Sequence, residues 1–251
     1  MTAWREVILD AAGPSDAWTR LFAAMGEVAR ATASPVDLHN KTIEPDRLLA
    51  EAAWDLWRDY PATAIRTSQA LRDWWGQPSG SGRAILILDA LSLRELPALL
   101  AGAAARKVEP TSVRVTGSEV PSDTDAFAQS LGVPSRSSLK NNGAPGGFAF
   151  AAESPFTAVL ELNFQDCAAP SVIPPQRDLF VWHTWLDTLM HVQAKSPDQV
   201  FKSASEALQS DGFWKLLDYL RTGRRLIITG DHGYAYSKLF AAEQDTAVVE
   251  A

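Results

Sequence analysis

Apolar residues fall into two kinds of run along this chain. In the first third they recur every three or four positions. One set is Ala17, Trp18, Leu21, Phe22, Met25 and Val28, following Ser15-Asp16; another is Leu48, Leu49, Ala52, Ala53, Leu56 and Trp57, following Pro45-Asp46. That spacing marks one face of an α-helix, Ser15-Asp16 offers a cap, and Pro45 fits a first helical position. Pro61 is expected to end the second of these helices, and a third runs through Ile65, Leu71 and Trp74-Trp75. Further on, the runs become short and unbroken: AILIL before Asp89, FTAVLEL from Phe156, DLFVW from Asp178 and LIIT from Leu226. Continuous apolar runs of this length, bounded by turn residues, predict strands buried on both faces, as in a parallel sheet. SVRVT from Ser112 alternates and predicts one more strand. Helical stretches lie between them: Leu91–Ala105, one through Phe127 and Leu131, HTWLDTLMH from His183, and Gln199–Arg221 with a break near Gly212.

Strand followed by helix, repeated, predicts an α/β fold with a mostly parallel sheet flanked by helices. The connector Gly76–Gly82 (GQPSGSG) divides a helical N-terminal region, residues 1–80, from an α/β domain, residues 83–251. Trp54, Trp57, Trp74 and Trp75 read as anchors that dock the helical layer on the sheet, with base stacking as the alternative use. The polar segment 132–147 (GVPSRSSLKNNGAPGG) is expected to be a mobile loop.

Composition narrows the class of function. A chain of 251 residues, 46% hydrophobic and 21% charged, suits a globular fold with a sizeable core. The net charge of −7 speaks against a broad nucleic-acid-binding surface, although metal ions could still draw an anionic substrate. No apolar run has membrane-spanning length, the first residues do not resemble a signal peptide, and the single cysteine, Cys167, suits a reducing compartment. A cytoplasmic protein is the expectation. Cys167 reads as a small buried hydrophobe.

The candidate chemistry sits at element ends. Asp89 closes one strand, and Asp231-His232 follow Gly230 at the close of the last, with Gly233 expected to let the backbone turn away. Ligands of open α/β sheets gather beyond such carboxyl ends, and Asp and His both bind divalent cations. Thr124 stands in the turn Pro121-Ser-Asp-Thr124, ahead of a helix. Asp187 and His191 are four apart, on one helical face. His183 is four before Asp187, so one helix could align all three; its ordinary role would be a polar contact at a strand end. Two aspartate–histidine pairs, another aspartate and a hydroxyl are the parts of a two-metal hydrolytic site.

These pieces, ILILDALS, EVPSDT, WLDTLMH and LIITGDHG, resemble in content and order a PglZ domain of the alkaline phosphatase superfamily, which also includes nucleotide pyrophosphatase/phosphodiesterases. The resemblance spans roughly residues 83–236 and implies an alkaline-phosphatase-like core. It implies one divalent metal on Asp89, Thr124, Asp231 and His232, and a second on Asp187 and His191, zinc being favoured and manganese the alternative. In that superfamily a later histidine completes the second site. No histidine follows His232 in this sequence, so the second site is expected to be weak or to draw a ligand from elsewhere, or the chain to be a truncated form. The implied activity is a metal-dependent phosphodiesterase or phosphatase acting on a nucleotide or other phosphate ester. Thr124 would be the nucleophile and Ser122 the alternative. The rival implication is a degenerate structural or interaction module with protein partners in a phage-defence system of the BREX type. A nucleotide-binding Gly-rich loop is disfavoured, because Gly76–Gly82 precedes its strand instead of following one.

Overall fold

A computed structural model describes residues 4–32, 34–193 and 197–234. Five helices come first: α1 (Trp4–Leu9), α2 (Pro14–Arg30), α3 (Pro35–Ala52), α4 (Trp54–Thr63) and α5 (Thr67–Trp75). The sheet and its helices follow: β1 (Gly82–Leu88), α6 (Leu96–Ala105), α7 (Thr124–Ser130), β2 (Phe156–Leu160), α8 (Phe164–Cys167), β3 (Asp178–His183), α9 (Trp185–Gln193), α10 (Pro197–Gln209), α11 (Asp211–Arg221) and β4 (Arg224–Thr229). The four strands form one all-parallel sheet in the order β2-β3-β1-β4. Among the described residues no helix is long and apolar enough to cross a membrane.

The unbroken apolar runs predicted strands because both faces of the sheet are covered. On β1, Ala84, Leu86 and Leu88 pack with Ala98 of α6, Leu208 of α10 and Phe213, Leu216, Leu217 and Leu220 of α11. The alternate residues Ile85 and Ile87 face Leu71 and Trp75 of α5, Phe127 of α7 and Leu131 just after it, beside Phe180 and Trp182 of β3. Each fully buried Leu or Ile contributes about 1.5–3 kcal/mol, so β1 and β3 are the apolar spine of the fold. A separate cluster holds the first helices together. In it Trp18 meets Trp57 and Tyr60 at ring-centroid distances of 5.0 and 4.9 Å.

Several expectations change at this level. Of the four tryptophans, Trp75 is buried against the sheet and Trp74 packs beside it, but Trp57 meets Trp18 edge-on in the helical cluster and Trp54 is 81% exposed. Leu71 and Trp75 therefore do the docking, while Trp4 and Trp18 fill the helical cluster. Pro45 lies inside α3, which starts at Pro35 behind the Ser34 cap, and α4 continues past Pro61 to Thr63. The break between α10 and α11 falls at Ser210, whose hydroxyl accepts from Phe213 N–H; Gly212 is helical.

SVRVT does not join the sheet. Val115 packs against Gly26 of α2, and the backbone pairs only at Gly117, which bridges Arg66 at the start of α5. The 132–147 segment is anchored, not free. It contains a 3-10 stretch, Arg136–Asn142, with Leu139 fully buried against the sheet. Asn142 Oδ1 accepts the edge-strand N–H of Thr157 at 3.1 Å.

Candidate metal centre at the carboxyl ends of β1 and β4

Asp89 is placed by the ladder itself, since its N–H donates to His183 O at 2.9 Å, one step beyond the last β1–β3 pair. The chain then turns through Ala90, a non-glycine residue held at φ 64°. That left-handed conformation costs about 1–2 kcal/mol and persists only where surroundings impose it. Here the imposing contact is Ala90 N–H, which donates to Asp231 Oδ1 at 2.9 Å. The turn after β1 and the turn after β4 thus define each other.

Two more contacts tie these turns. Ser92-Leu-Arg-Glu95 forms a capping box on the 3-10 turn Leu93–Glu95. The buried Glu95 then accepts the Tyr234 hydroxyl, and Arg94 reaches Tyr234 O. Burial pushes the Glu95 carboxyl above its ordinary range and raises the Tyr234 phenol as well. Gly230 gives the close approach. A Cβ there would stand 2.2 Å from Leu91 O, whereas one at Gly233 would make an ordinary 3.4 Å contact with Ser92. The glycine that this turn requires is Gly230, not Gly233.

Thr124 arrives from the other side. Asp123 caps α7 by accepting Ala126 N–H at 2.7 Å, which sets Thr124 at the first helical position. The approach segment is held by the N-terminal helices: Tyr60 OH donates to Ser118 O at 2.6 Å, and Arg66 pairs with the buried Glu119 at 2.7 Å. Thr124 Oγ1 then lies 2.8 Å from Asp231 Oδ2, 3.2 Å from His232 Nε2 and 3.4 Å from Asp89 Oδ1. His232 Nε2 is 3.6 Å from Asp89 Oδ1 and 3.5 Å from Asp231 Oδ2. Among the described residues, Asp89, Asp231 and His232 form a group able to hold a metal ion. Ser122 is exposed.

The donor count explains why. His232 Nδ1 lies 2.7 Å from Gly233 O. A carbonyl only accepts, so Nδ1 carries a hydrogen, and in the neutral ring Nε2 presents a lone pair to the cluster. Asp89 Oδ1, Asp231 Oδ2 and His232 Nε2 are then three acceptors around one hydroxyl hydrogen. Asp89 and Asp231 are both buried, and an excess of lone pairs away from water is stabilised by a cation. The donor set fits a divalent ion, with Thr124 Oγ1 as a further oxygen.

One cation is already present. The Arg136 guanidinium stands in ion-pair contact with Asp89 Oδ2. The pair supplies charge without a well-directed hydrogen bond, since Asp89 Oδ2 has no hydrogen-bond partner. Nothing in the polar segment 132–147 pointed to Arg136. By contrast, the Ser-x-x-Glu spacing that underlies the Glu95–Tyr234 tie could have been read as a cap.

The expected second pair does not join this group. Asp187 and His191 lie on one face of α9, 3.3 Å apart, and the His191 side chain is 80% exposed. His183 belongs to β3, not to the helix, and aligns with neither. Its ring is buried against Phe164, Nδ1 accepts Trp185 N–H at 3.1 Å, and Nε2 is 3.7 Å from Cys167 Sγ. Burial lowers the His183 pKa to about 4 and raises the Cys167 thiol to about 11, so both are neutral near pH 7. Cys167 is the buried small residue expected of it. No known family model matches this chain, and no curated protein matches it.

Proposed function

We propose that this chain is a metal-dependent phosphoric ester hydrolase of the PglZ type, with an alkaline-phosphatase-like core and Thr124 as nucleophile. One observation carries the reading. Asp89, Thr124 and Asp231-His232 come from three distant segments, yet their polar atoms meet around a single hydroxyl.

Asp89, Asp231 and His232 would hold a divalent ion, zinc by resemblance and manganese as the alternative. When bound, it would favour the alkoxide of Thr124 and offset charge on the phosphoryl oxygens. The residues do the rest. Thr124 Oγ1 loses its proton to solvent and attacks phosphorus. The new P–O bond to Thr124 forms as the bond to the leaving oxygen breaks, and that oxygen takes a proton from water. A water oxygen then attacks the phosphothreonine, the bond to Thr124 breaks, and its hydroxyl is restored. Asp231 orients the hydroxyl through the 2.8 Å contact, and Arg136 adds positive charge for an anionic ester. A nucleotide or small phosphate ester fits this chemistry.

The second reading is a degenerate PglZ-like module serving as a structural or interaction component of a BREX-type defence assembly. Two observations favour it: Arg136 occupies Asp89 in the manner of a substitute cation, and Asp187-His191 stand outside the group. Metal content of the purified protein and turnover of bis-p-nitrophenyl phosphate with added Zn²⁺ or Mn²⁺ separate the two. The hydrolase binds metal and turns over. Thr124→Ala then lowers turnover by roughly a thousandfold or more while leaving the circular dichroism spectrum and metal content in place. Undiminished activity in that variant moves the nucleophile to Ser122 or elsewhere. Absence of both metal and turnover selects the module.

A further inference from the structure

Arg136 has no place in the metal ligand set, yet it contacts a ligand. Its guanidinium lies against Asp89 Oδ2, on a carboxylate that is fully buried. The other Asp89 oxygen, Oδ1, faces Thr124 and His232. One carboxylate therefore has the metal group on one oxygen and a fixed positive charge on the other. Arg136 is carried by a segment that is tied down independently of the site, through Leu139 in the core and Asn142 on the edge of β2.

We infer that Arg136 is a built-in counter-cation that competes with the divalent ion for Asp89 and so sets the affinity of the centre. The inference rests on the metal-centre reading. Without an ion, two buried carboxylates face each other across Thr124, and Arg136 neutralises one of them. With an ion, the group Asp89, Asp231 and divalent cation is neutral, and Arg136 adds an unbalanced positive charge beside it. The same side chain thus stabilises the metal-free site and opposes loading, because like charges at short range in a poorly solvated place repel strongly. A rim arginine engaged only in a surface ion pair would leave metal affinity nearly untouched.

The test is a titration of the chelator-stripped full chain with Zn²⁺, and separately with Mn²⁺, by calorimetry or against a fluorescent chelator. It compares wild type, Arg136→Gln and Arg136→Lys. Arg136→Gln should bind the ion tighter by on the order of tenfold, the usual size of effect for a group next to a metal ligand. It should also lower the melting temperature of the metal-free protein and not that of the loaded one. Arg136→Lys keeps the charge and should stay near wild type, which separates charge from any disturbance of the segment. Equal affinity in wild type and Arg136→Gln overturns the inference and leaves the metal centre standing. Binding in Arg136→Gln alone supports it and makes the native chain the degenerate module. No binding in any of the three removes the centre, and the inference with it.

Discussion

At the end of β4, Asp231 and His232 are buried or nearly so, and in each the polar atom turned away from Thr124 is held by backbone: Asp231 Oδ1 by Ala90 N–H and His232 Nδ1 by Gly233 O. On α9, Asp187 and His191 present the same two residue types to solvent, with each other as partner. The first pair is adjacent in sequence and lies beyond a strand; the second is spaced by four on a helix. Burial is what separates them. A carboxylate out of water must be matched, so Asp231 is matched by Ala90 N–H, by the Thr124 hydroxyl and by the charge balance of the whole group. A carboxylate at the surface is solvated, and its pairing with a helical neighbour is worth only about 0.2–0.5 kcal/mol.

The largest expected difference is in metal binding. Asp231→Asn should weaken the ion by at least about a hundredfold, since it removes a ligand charge where even neighbouring groups alter affinity ten- to a hundredfold. Asp187→Asn should leave the tight ion in place and change stability by no more than a few tenths of a kcal/mol. Metal analysis after gel filtration reads the first effect and urea denaturation the second. Loss of the tight ion in Asp187→Asn would erase the contrast and restore a two-metal arrangement.

A second effect sharpens the comparison along the same sheet edge. His183 ends β3 beside Asp89, but it is enclosed by Phe164, Trp185 and Cys167. Burial holds its folded pKa at about 4 against an ordinary 6.5. Above pH 6.5 the ring is neutral folded or unfolded, and its contribution to stability is fully present. As pH falls from 6.5 towards 4 the unfolded chain takes up the proton first, so stability is lost, by about 3 kcal/mol across that window. His183→Leu should remove this part of the slope when urea midpoints are compared at pH 7 and pH 4.5. An unchanged slope would mean that the ring already reaches solvent in the folded protein.

How much of this was legible follows from where the information lies. The strands at 82–88, 156–160, 178–183 and 224–229 could be read because two covered faces demand unbroken apolar runs. Asp89 and Asp231-His232 could be read because turns after parallel strands gather on one edge. SVRVT misled because alternation reports a half-buried segment, and Val115 is half-buried against α2 with no partner strand. The tryptophans misled for a related reason: residue type does not say which face of a helix meets the sheet, and Trp54 faces water while Leu71 meets the core. Arg136 left no signal, since its meaning comes wholly from a long-range contact with Asp89.

The smallest effect concerns the two glycines of the last turn, and it tests whether the β4 end is fixed by packing instead of by flexible backbone. Both flank Asp231-His232, and the motif alone gives no reason to rank them. Gly230 is pressed against the turn after β1: a methyl group there would meet Leu91 O at 2.2 Å and His232 O at 3.1 Å, and both are backbone atoms that cannot step aside alone. Gly230→Ala must therefore push the Asp231 turn away from Ala90, stretching the hydrogen bond that joins the two turns. A cost of about 1–3 kcal/mol is expected from such overpacking, together with weaker metal binding. At Gly233 the new methyl would only touch Ser92 at 3.4 Å, so Gly233→Ala should stay within about 0.5 kcal/mol of wild type and keep the ion. Thermal melts of the two variants with and without added Zn²⁺ read both quantities. If Gly233→Ala proved the costlier of the two, the turn after β4 would depend on backbone freedom at its far end, and the tie through Ala90 would not be what holds Asp231 in place.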